Sequence, residues 1–255
     1  VRHLRFGDLD VRAHIWTTPR HPGGASAAPI VIVHGLGTSH RYSDRLQRAL
    51  QGSRDTYSLD LPGFGGTRKP SRRLSVDDYA GVIARAADVL GIRSACVIGH
   101  SMGAQFAAAL ACQRPDLVSH LVLAGPVVDP ARRSARLQML DLARDILGEP
   151  LGLNAVVFSD YLRCGPRWFL RELEAMLRYR LEEAARQVRC PVLVVRGVND
   201  PIARAAWCAQ LAAAAPEGRL LELADSRHVV QHTAPSALAD AVLSFAGERA
   251  QDAAS

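Results

Sequence analysis

Lysine is almost missing from this 255-residue chain: Lys69 stands alone against thirty arginines. The formal net charge of +6 is therefore arginine charge, and the arginines are scattered and interleaved with acids. No basic run carries the aromatics that bind nucleic acid, so no nucleic-acid partner is expected. Cysteine is scarce as well. Cys96, Cys112, Cys164, Cys190 and Cys208 are odd in number and widely spaced, which offers neither a disulfide framework nor zinc-ligand spacing and suits a reducing cytoplasm. No stretch reaches the ~18 continuous apolar residues of a membrane span. The opening residues Val1-Arg2-His3-Leu4-Arg5 hold no apolar signal-peptide core. The expectation is a cytoplasmic protein with no membrane partner. Internal repeats and low-complexity tracts are absent too. What remains is a chain with 48% hydrophobic residues, long enough to bury a full core as one domain with room for an insertion.

The pattern of apolar runs gives the organisation. Leu4 to Arg12 and Ala13 to Thr17 alternate around Gly7-Asp8 and predict an antiparallel hairpin. After a Pro/Gly/Ser-rich loop over residues 19–29, strands are predicted at Ile30-Val31-Ile32-Val33, Thr56 to Asp60, Ala95 to Ile98, His120 to Ala124, Pro191 to Val195 and Arg219 to Leu223, several of them unbroken apolar runs. Such runs read as strands buried on both faces. Helices are predicted between them over Arg45–Leu50, Ser75–Leu90 with Asp77 and Asp78 in its first turn, and Met102–Arg114 ended by Pro115. A last one runs from Pro235 to about Arg249. Strands alternating with helices imply an α/β, mostly parallel, doubly wound sheet. The rhythm stops between Pro126 and about Gln187, where Ala131–Leu147 and Trp168–Arg189 read as helices with Val156, Val157, Phe158 and Tyr161 between them. We read residues 127–187 as an inserted helical cap (lid) on a core of 1–126 and 188–255. Its charges are expected on a solvated outer face and its Leu, Phe, Met and Trp residues turned inward.

Within this frame, Val97-Ile98-Gly99-His100-Ser101-Met102-Gly103 sets a serine between two glycines at a strand-to-helix turn. A serine hydroxyl is a weak nucleophile unless held exposed and paired with a base, and the base needs an acid to fix its tautomer. Asp200 follows the Val192–Val195 strand and His228 follows the Arg219–Leu223 strand, both at carboxyl ends where ligands meet such sheets. The expected catalytic set is thus Ser101, Asp200 and His228. Asp129 is the rival acid and His232 the rival base, four residues beyond His228. His3, His14, His21 and His40 precede the elbow, His120 begins a strand, and His100 is expected to point away from the serine. His228 and His232 also have the i, i+4 spacing of a metal pair, but no glutamate completes H-E-x-x-H, so no metal is expected. For an oxyanion, the backbone N–H groups of Met102 and of Leu36, in the turn His34-Gly35-Leu36-Gly37, are the candidate donors.

These segments, with Asp60-Leu61-Pro62-Gly63-Phe64-Gly65, Gly197-Val198-Asn199-Asp200 and Arg227-His228, resemble the α/β-hydrolase superfamily over nearly the whole chain. The resemblance implies the α/β-hydrolase fold and a cofactor-free Ser-His-Asp enzyme. Serine at the elbow separates it from the epoxide hydrolase and haloalkane dehalogenase branches, which carry aspartate there. Within the serine branches the chain is similar to small-molecule esterases, lactonases and carbon-carbon hydrolases, though the last commonly have asparagine where this chain has His100. A small hydrophobic substrate is expected, with Gly35, Tyr42, Gln105, Tyr161 and Trp168 as candidates for contacting it. The alternative is a non-hydrolytic use of the same scaffold: a cyclase, acyltransferase or carbon-carbon bond-forming enzyme.

Overall fold

In the strand Ile30–Val33 every side chain is buried, because successive residues point to opposite faces of a sheet covered on both sides. The computed structural model describes residues 1–18 and 27–252; most of the loop expected over 19–29, with His21 in it, lies outside the described residues. Eight strands form one sheet: β1 (Arg2–Phe6), β2 (Leu9–Trp16), β3 (Ile30–Val33), β4 (Thr56–Asp60), β5 (Ala95–His100), β6 (Val118–Ala124), β7 (Val192–Gly197) and β8 (Gly218–Leu223). Their order is β1-β2-β4-β3-β5-β6-β7-β8. The pairs β1/β2 and β2/β4 are antiparallel; the rest are parallel. The opening hairpin turns at Gly7, whose φ of 69° lies where glycine is favoured.

Helices cover both faces. Val31, Val33, Val97, Leu121 and Val194 point to one layer, formed with α2 (Val76–Val89), α3 (Met102–Gln113) and α8 (Ala205–Ala214). Ile30, Ile32, Ile98, Val122 and Val195 point to the other, which packs on α1 (Asp44–Ala49) and α10 (Pro235–Asp252). Helix α2 starts where the sequence placed it. The Ser75 hydroxyl accepts from the Asp78 N–H and the Asp78 carboxylate accepts from the Ser75 N–H, a reciprocal cap. Helix α3 is buried from Met102 to Ala111, and its alanines let it lie close against the sheet. Helix α8 is an element the sequence reading lacked. Its run AAWCAQLAAA is apolar on every side and so has no helical period to detect, yet it buries Trp207, Cys208 and Leu211.

Between β6 and β7 stand four helices: α4 (Ala135–Ile146), α5 (Leu151–Cys164), α6 (Pro166–Arg178) and α7 (Leu181–Ala185). Two expectations are corrected here. The segment with Val156, Val157, Phe158 and Tyr161 is itself helix α5. The helix expected over Trp168–Arg189 breaks at Tyr179, which is extended, because Arg133 Nη1 draws the Leu177 and Tyr179 carbonyls at 3.3 and 2.8 Å.

The orientation of charge is corrected as well. Asp141, Asp145, Glu149, Asp160 and Glu172 are buried, while Leu147 and Leu151 are each 88% exposed. The acids point inward because each of the first four meets a donor there. Asp141 takes a bidentate pair from Arg132 at 2.7 and 2.8 Å, and Asp160 accepts from Ser39 Oγ at 2.6 Å and Arg41 at 3.1 Å. Among the described residues no helix is long and apolar enough to cross a membrane.

Candidate active site

At the end of β5 the chain reverses into α3 through a single residue, Ser101, held at φ 57° and ψ −122°. A non-glycine residue there stores roughly 1–3 kcal/mol of strain, so the surroundings must enforce it. They do so by excluding side chains. A Cβ on Gly99 would lie 2.2 Å from the Gly103 carbonyl oxygen, and one on Gly103 would lie 2.5 Å from that of Val33. Strand and helix are thus in backbone contact. The Ser101 side chain does not cap α3, and it lines a cavity at the carboxyl ends of the strands. Gly35 passes so close that a Cβ there would meet Ser101 Cβ at 2.9 Å.

Asp200 and His228 converge on the same place from the loops after β7 and β8. The loops are stitched together by Val198 N–H to Leu223 O at 2.9 Å and Asn199 N–H to Ser226 O at 3.0 Å. Gly197 permits the approach, since a Cβ there would lie 2.3 Å from Arg227 O. Asp200 Oδ1 accepts the N–H groups of Ile202 and Ala203 at 2.7 and 2.9 Å. Its Oδ2 lies 2.9 Å from His228 Nδ1, and both residues are buried. Burial works against a charged Asp200, but the His228 ring and the two N–H groups outweigh it and hold the carboxyl below its ordinary value. Burial would likewise lower His228; the Asp200 charge and hydrogen bond, with Asp145 and Glu149 behind them, outweigh it and lift the imidazole to about 9. The rivals lie elsewhere. Asp129 caps a 3₁₀ turn by accepting from the Ala131 N–H. His232 is on the short helix α9 (Val230–Thr233), with its carbonyl bonded to Arg45.

His100, expected to point away from the serine, takes its partners from Tyr42 and the His228 backbone. The residue is among those lining the cavity, with ring Nε2 2.9 Å from the His228 carbonyl oxygen and Nδ1 2.7 Å from the Tyr42 hydroxyl. A carbonyl only accepts, so Nε2 carries the proton and Nδ1 accepts from Tyr42. Tyr42 in turn accepts the Gly35 N–H at 2.6 Å. A directed chain of hydrogen bonds thus links the turn after β3 to the backbone of His228. Burial, helped by repulsion from His228, pushes the His100 imidazole down to about 3, which keeps it neutral. No spacing in the sequence announces this role, because it depends on Tyr42 arriving from 58 residues away.

The remaining predicted residues divide. Gly35, Leu36, Tyr42 and Tyr161 line the cavity. Among the described residues the Leu36 and Met102 N–H groups have no protein acceptor. Gln105 and Trp168 are corrected, since both are buried outside the cavity wall. Gln105 Nε2 donates to Met176 O at 3.0 Å and ties α3 to α6, while Trp168 packs on Gly63, where a Cβ would lie 2.4 Å from its ring. Leu142, Ile146, Leu153, Val157, Phe169 and Met176 supply an apolar wall from the inserted helices. Two acids in that wall, Asp145 and Glu149, were missed. Acids four residues apart at Asp141, Asp145 and Glu149, running through α4 into the turn after it, signalled them, but a sequence does not say which stripe faces in.

The metal-capable group among the described residues is His14, His40 and Asp60. Asp60 Oδ2 lies 3.0 Å from His14 Nε2 and 2.9 Å from His40 Nδ1, and the two rings stack at 3.3 Å with an 11° tilt. Parallel stacked rings cannot aim two in-plane lone pairs at one ion, so the group reads as a clamp. It ties β2 and β4 to the turn that carries Tyr42.

A family model described as alpha/beta hydrolase fold matches residues 28–160. Human (Lyso)-N-acylphosphatidylethanolamine lipase is 30% identical over 132 residues, covering 50% of this chain and 39% of that protein. The dihydrolipoyllysine-residue acetyltransferase component of the acetoin cleaving system from Pseudomonas putida is 28% identical over 246 residues, 88% of this chain and 64% of the relative. The chain therefore spans less than two thirds of either relative. Among solved structures, the enol-lactonase from Burkholderia xenovorans LB400 superposes with a TM-score of 0.79 at 22% identity, over 96% of this chain and 99% of that one.

Proposed function

Because this chain belongs to the α/β hydrolase fold family, we propose that it is a serine hydrolase acting through Ser101, His228 and Asp200 on an ester, a lactone or an activated carbon-carbon bond of a small, largely apolar molecule. The observation that carries this reading is the 2.9 Å contact of buried Asp200 with His228, which lines one cavity together with a strained Ser101. Asp200 fixes the proton on His228 Nδ1, leaving Nε2 as the base. For an ester, Ser101 Oγ attacks the carbonyl carbon while Nε2 takes the hydroxyl proton. The oxyanion is met by the Leu36 and Met102 N–H groups, donors already oriented before charge develops. Collapse expels the leaving group, which takes the proton from His228 and leaves an acyl-serine. Water, deprotonated by His228, then releases the acid and restores the serine.

The test is turnover of p-nitrophenyl esters of increasing acyl length by the wild type, Ser101→Ala and His228→Ala. Loss of about 10⁴-fold or more in kcat is expected in each variant, with the acyl-length optimum reporting the pocket. A folded wild type with no turnover, or Ser101→Ala retaining it, overturns the reading. Acyl transfer, the activity for which the Pseudomonas putida relative is named, would use the same acyl-serine with another acceptor. Partitioning of product on adding an alcohol or thiol separates the two.

A further inference from the structure

Apart from the phenols of Tyr42 and Tyr161, the ionisable side chains in the cavity wall are Asp145, Glu149, His100 and His228, with no lysine or arginine among the lining residues. The two acids come from the end of α4 and the turn after it, and each has only half of its carboxylate occupied. Asp145 Oδ1 accepts the His228 N–H at 3.3 Å and Glu149 Oε1 accepts the Val229 N–H at 3.2 Å. Among the described residues, Asp145 Oδ2 and Glu149 Oε2 have no protein donor, in a wall that the inserted helices line mainly with apolar side chains. The charges around them do not balance. Asp200 is matched by His228 at 2.9 Å, and Asp145 is matched from outside the cavity by Arg227, whose Nε is 3.5 Å away. Among the described residues Glu149 forms no ion pair of its own; His228 and Arg227 act on it through space, but burial, the largest cause, pushes its carboxyl above the ordinary value. A desolvated carboxylate without a direct ion-pair partner is costly unless something brings one.

We propose that Glu149, assisted by Asp145, is a cation-recognition subsite, and that the substrate carries an ammonium or similar cationic group rather than a carboxylate. The inference rests on the hydrolase reading for the identity of the reaction, but the subsite is defined by its own geometry. It also gives the bound substrate a second effect. Asp145 and Glu149 both help hold a proton on His228. A cation between them weakens that hold, so the imidazole becomes available as a base when the right substrate is present.

The experiment has two arms. The first compares kcat/KM in the wild type for three p-nitrophenyl esters of equal acyl length, ending in ammonium, methyl or carboxylate. The ammonium ester is expected to exceed the methyl ester by about ten- to a hundredfold, the worth of a hydrogen bond to a charged group, with the carboxylate ester lowest. In Glu149→Gln, whose amide oxygen still accepts the Val229 N–H, the ammonium-to-methyl ratio is expected to fall toward one. A methyl ester equal to or better than the ammonium ester in the wild type, or an unchanged ratio in the variant, overturns the proposal and leaves the acids as a latch between α4 and the His228 loop. The second arm needs no turnover. Calorimetry on Ser101→Ala compares n-pentylammonium with 1-pentanol, then repeats the pair in Ser101→Ala/Glu149→Gln. Selective ammonium binding that depends on Glu149 supports the subsite even where no ester is cleaved. Equal binding, or none, refutes it even where esters are cleaved.

Discussion

Glu172 gives the sharpest test of how the inserted helices are held. It lies on α6 with 0% exposure, one turn from Trp168, and neither carboxylate oxygen has a hydrogen-bond partner. The Tyr79 hydroxyl on α2 donates to Pro62 O at 3.2 Å. Burial is the largest cause and lifts this carboxyl from 4.5 to about 7, with Tyr79 and Arg171 pulling the other way. The folded state therefore binds a proton that the unfolded chain has released. Stability is highest below the unfolded value of 4.5 and is lost as pH rises through 7. A lift of that size corresponds to about 3 kcal/mol, a large part of the ~5–15 kcal/mol that holds a domain folded. Urea unfolding at half-unit steps from pH 4 to 8.5, on the wild type and Glu172→Gln, isolates it. His228, lifted from 6.5 to about 9, also makes stability decline with pH, but it does so in both proteins and cancels in the difference. The gap between the two should move by about 3 kcal/mol in favour of the variant across this range, most of it between pH 4.5 and 7. Parallel curves would refute the reasoning and mean that Glu172 is ionised and solvated.

Other outcomes follow from the same geometry. Gly99→Ala would press a methyl into the Gly103 carbonyl 2.2 Å away, so a loss of about 3 kcal/mol or more, or insoluble expression, is expected in urea unfolding. Tyr42→Phe removes the hydroxyl shared by the Gly35 N–H and His100 Nδ1. It should cost about 1–3 kcal/mol through two buried groups left unpaired, and unchanged stability would dissolve the chain of hydrogen bonds described above. Because His228 is held near 9, kcat/KM for a neutral ester should rise with pH to a plateau above about 9, while a plateau reached by pH 7 would contradict that environment. Asp200→Asn should lower kcat by about 10³- to 10⁴-fold with little change in KM, and a loss confined to KM would remove Asp200 from its assigned part.

Much of this molecule was legible before any coordinates. The buried strands announce themselves through unbroken apolar runs, and α2 through its Ser75–Asp78 cap, because those signals depend on neighbours within a few residues. The turns around Ser101, Gly35 and Gly197 were readable for a related reason: only glycine fits where backbone meets backbone, and glycine is visible in a sequence. The placement of Asp200 and His228 after β7 and β8 followed from strand order alone. Tertiary packing decided the rest. Helix α8 was invisible because a helix apolar all round has no period. Gln105 and Trp168 had the right chemistry for a pocket but face α6 and Gly63, and nothing local distinguishes those destinations. The partners of His100, the hydroxyl of Tyr42 and the carbonyl of His228, are both distant in sequence, so its place in a hydrogen-bond chain could not be read locally. The inserted helices showed the limit most clearly. Their acids and their leucines occupy different stripes of the same helices, and which stripe is inside depends on whether the core offers partners. Arg132, Ser39 and the N–H groups of His228 and Val229 offer them, so the acids turn inward.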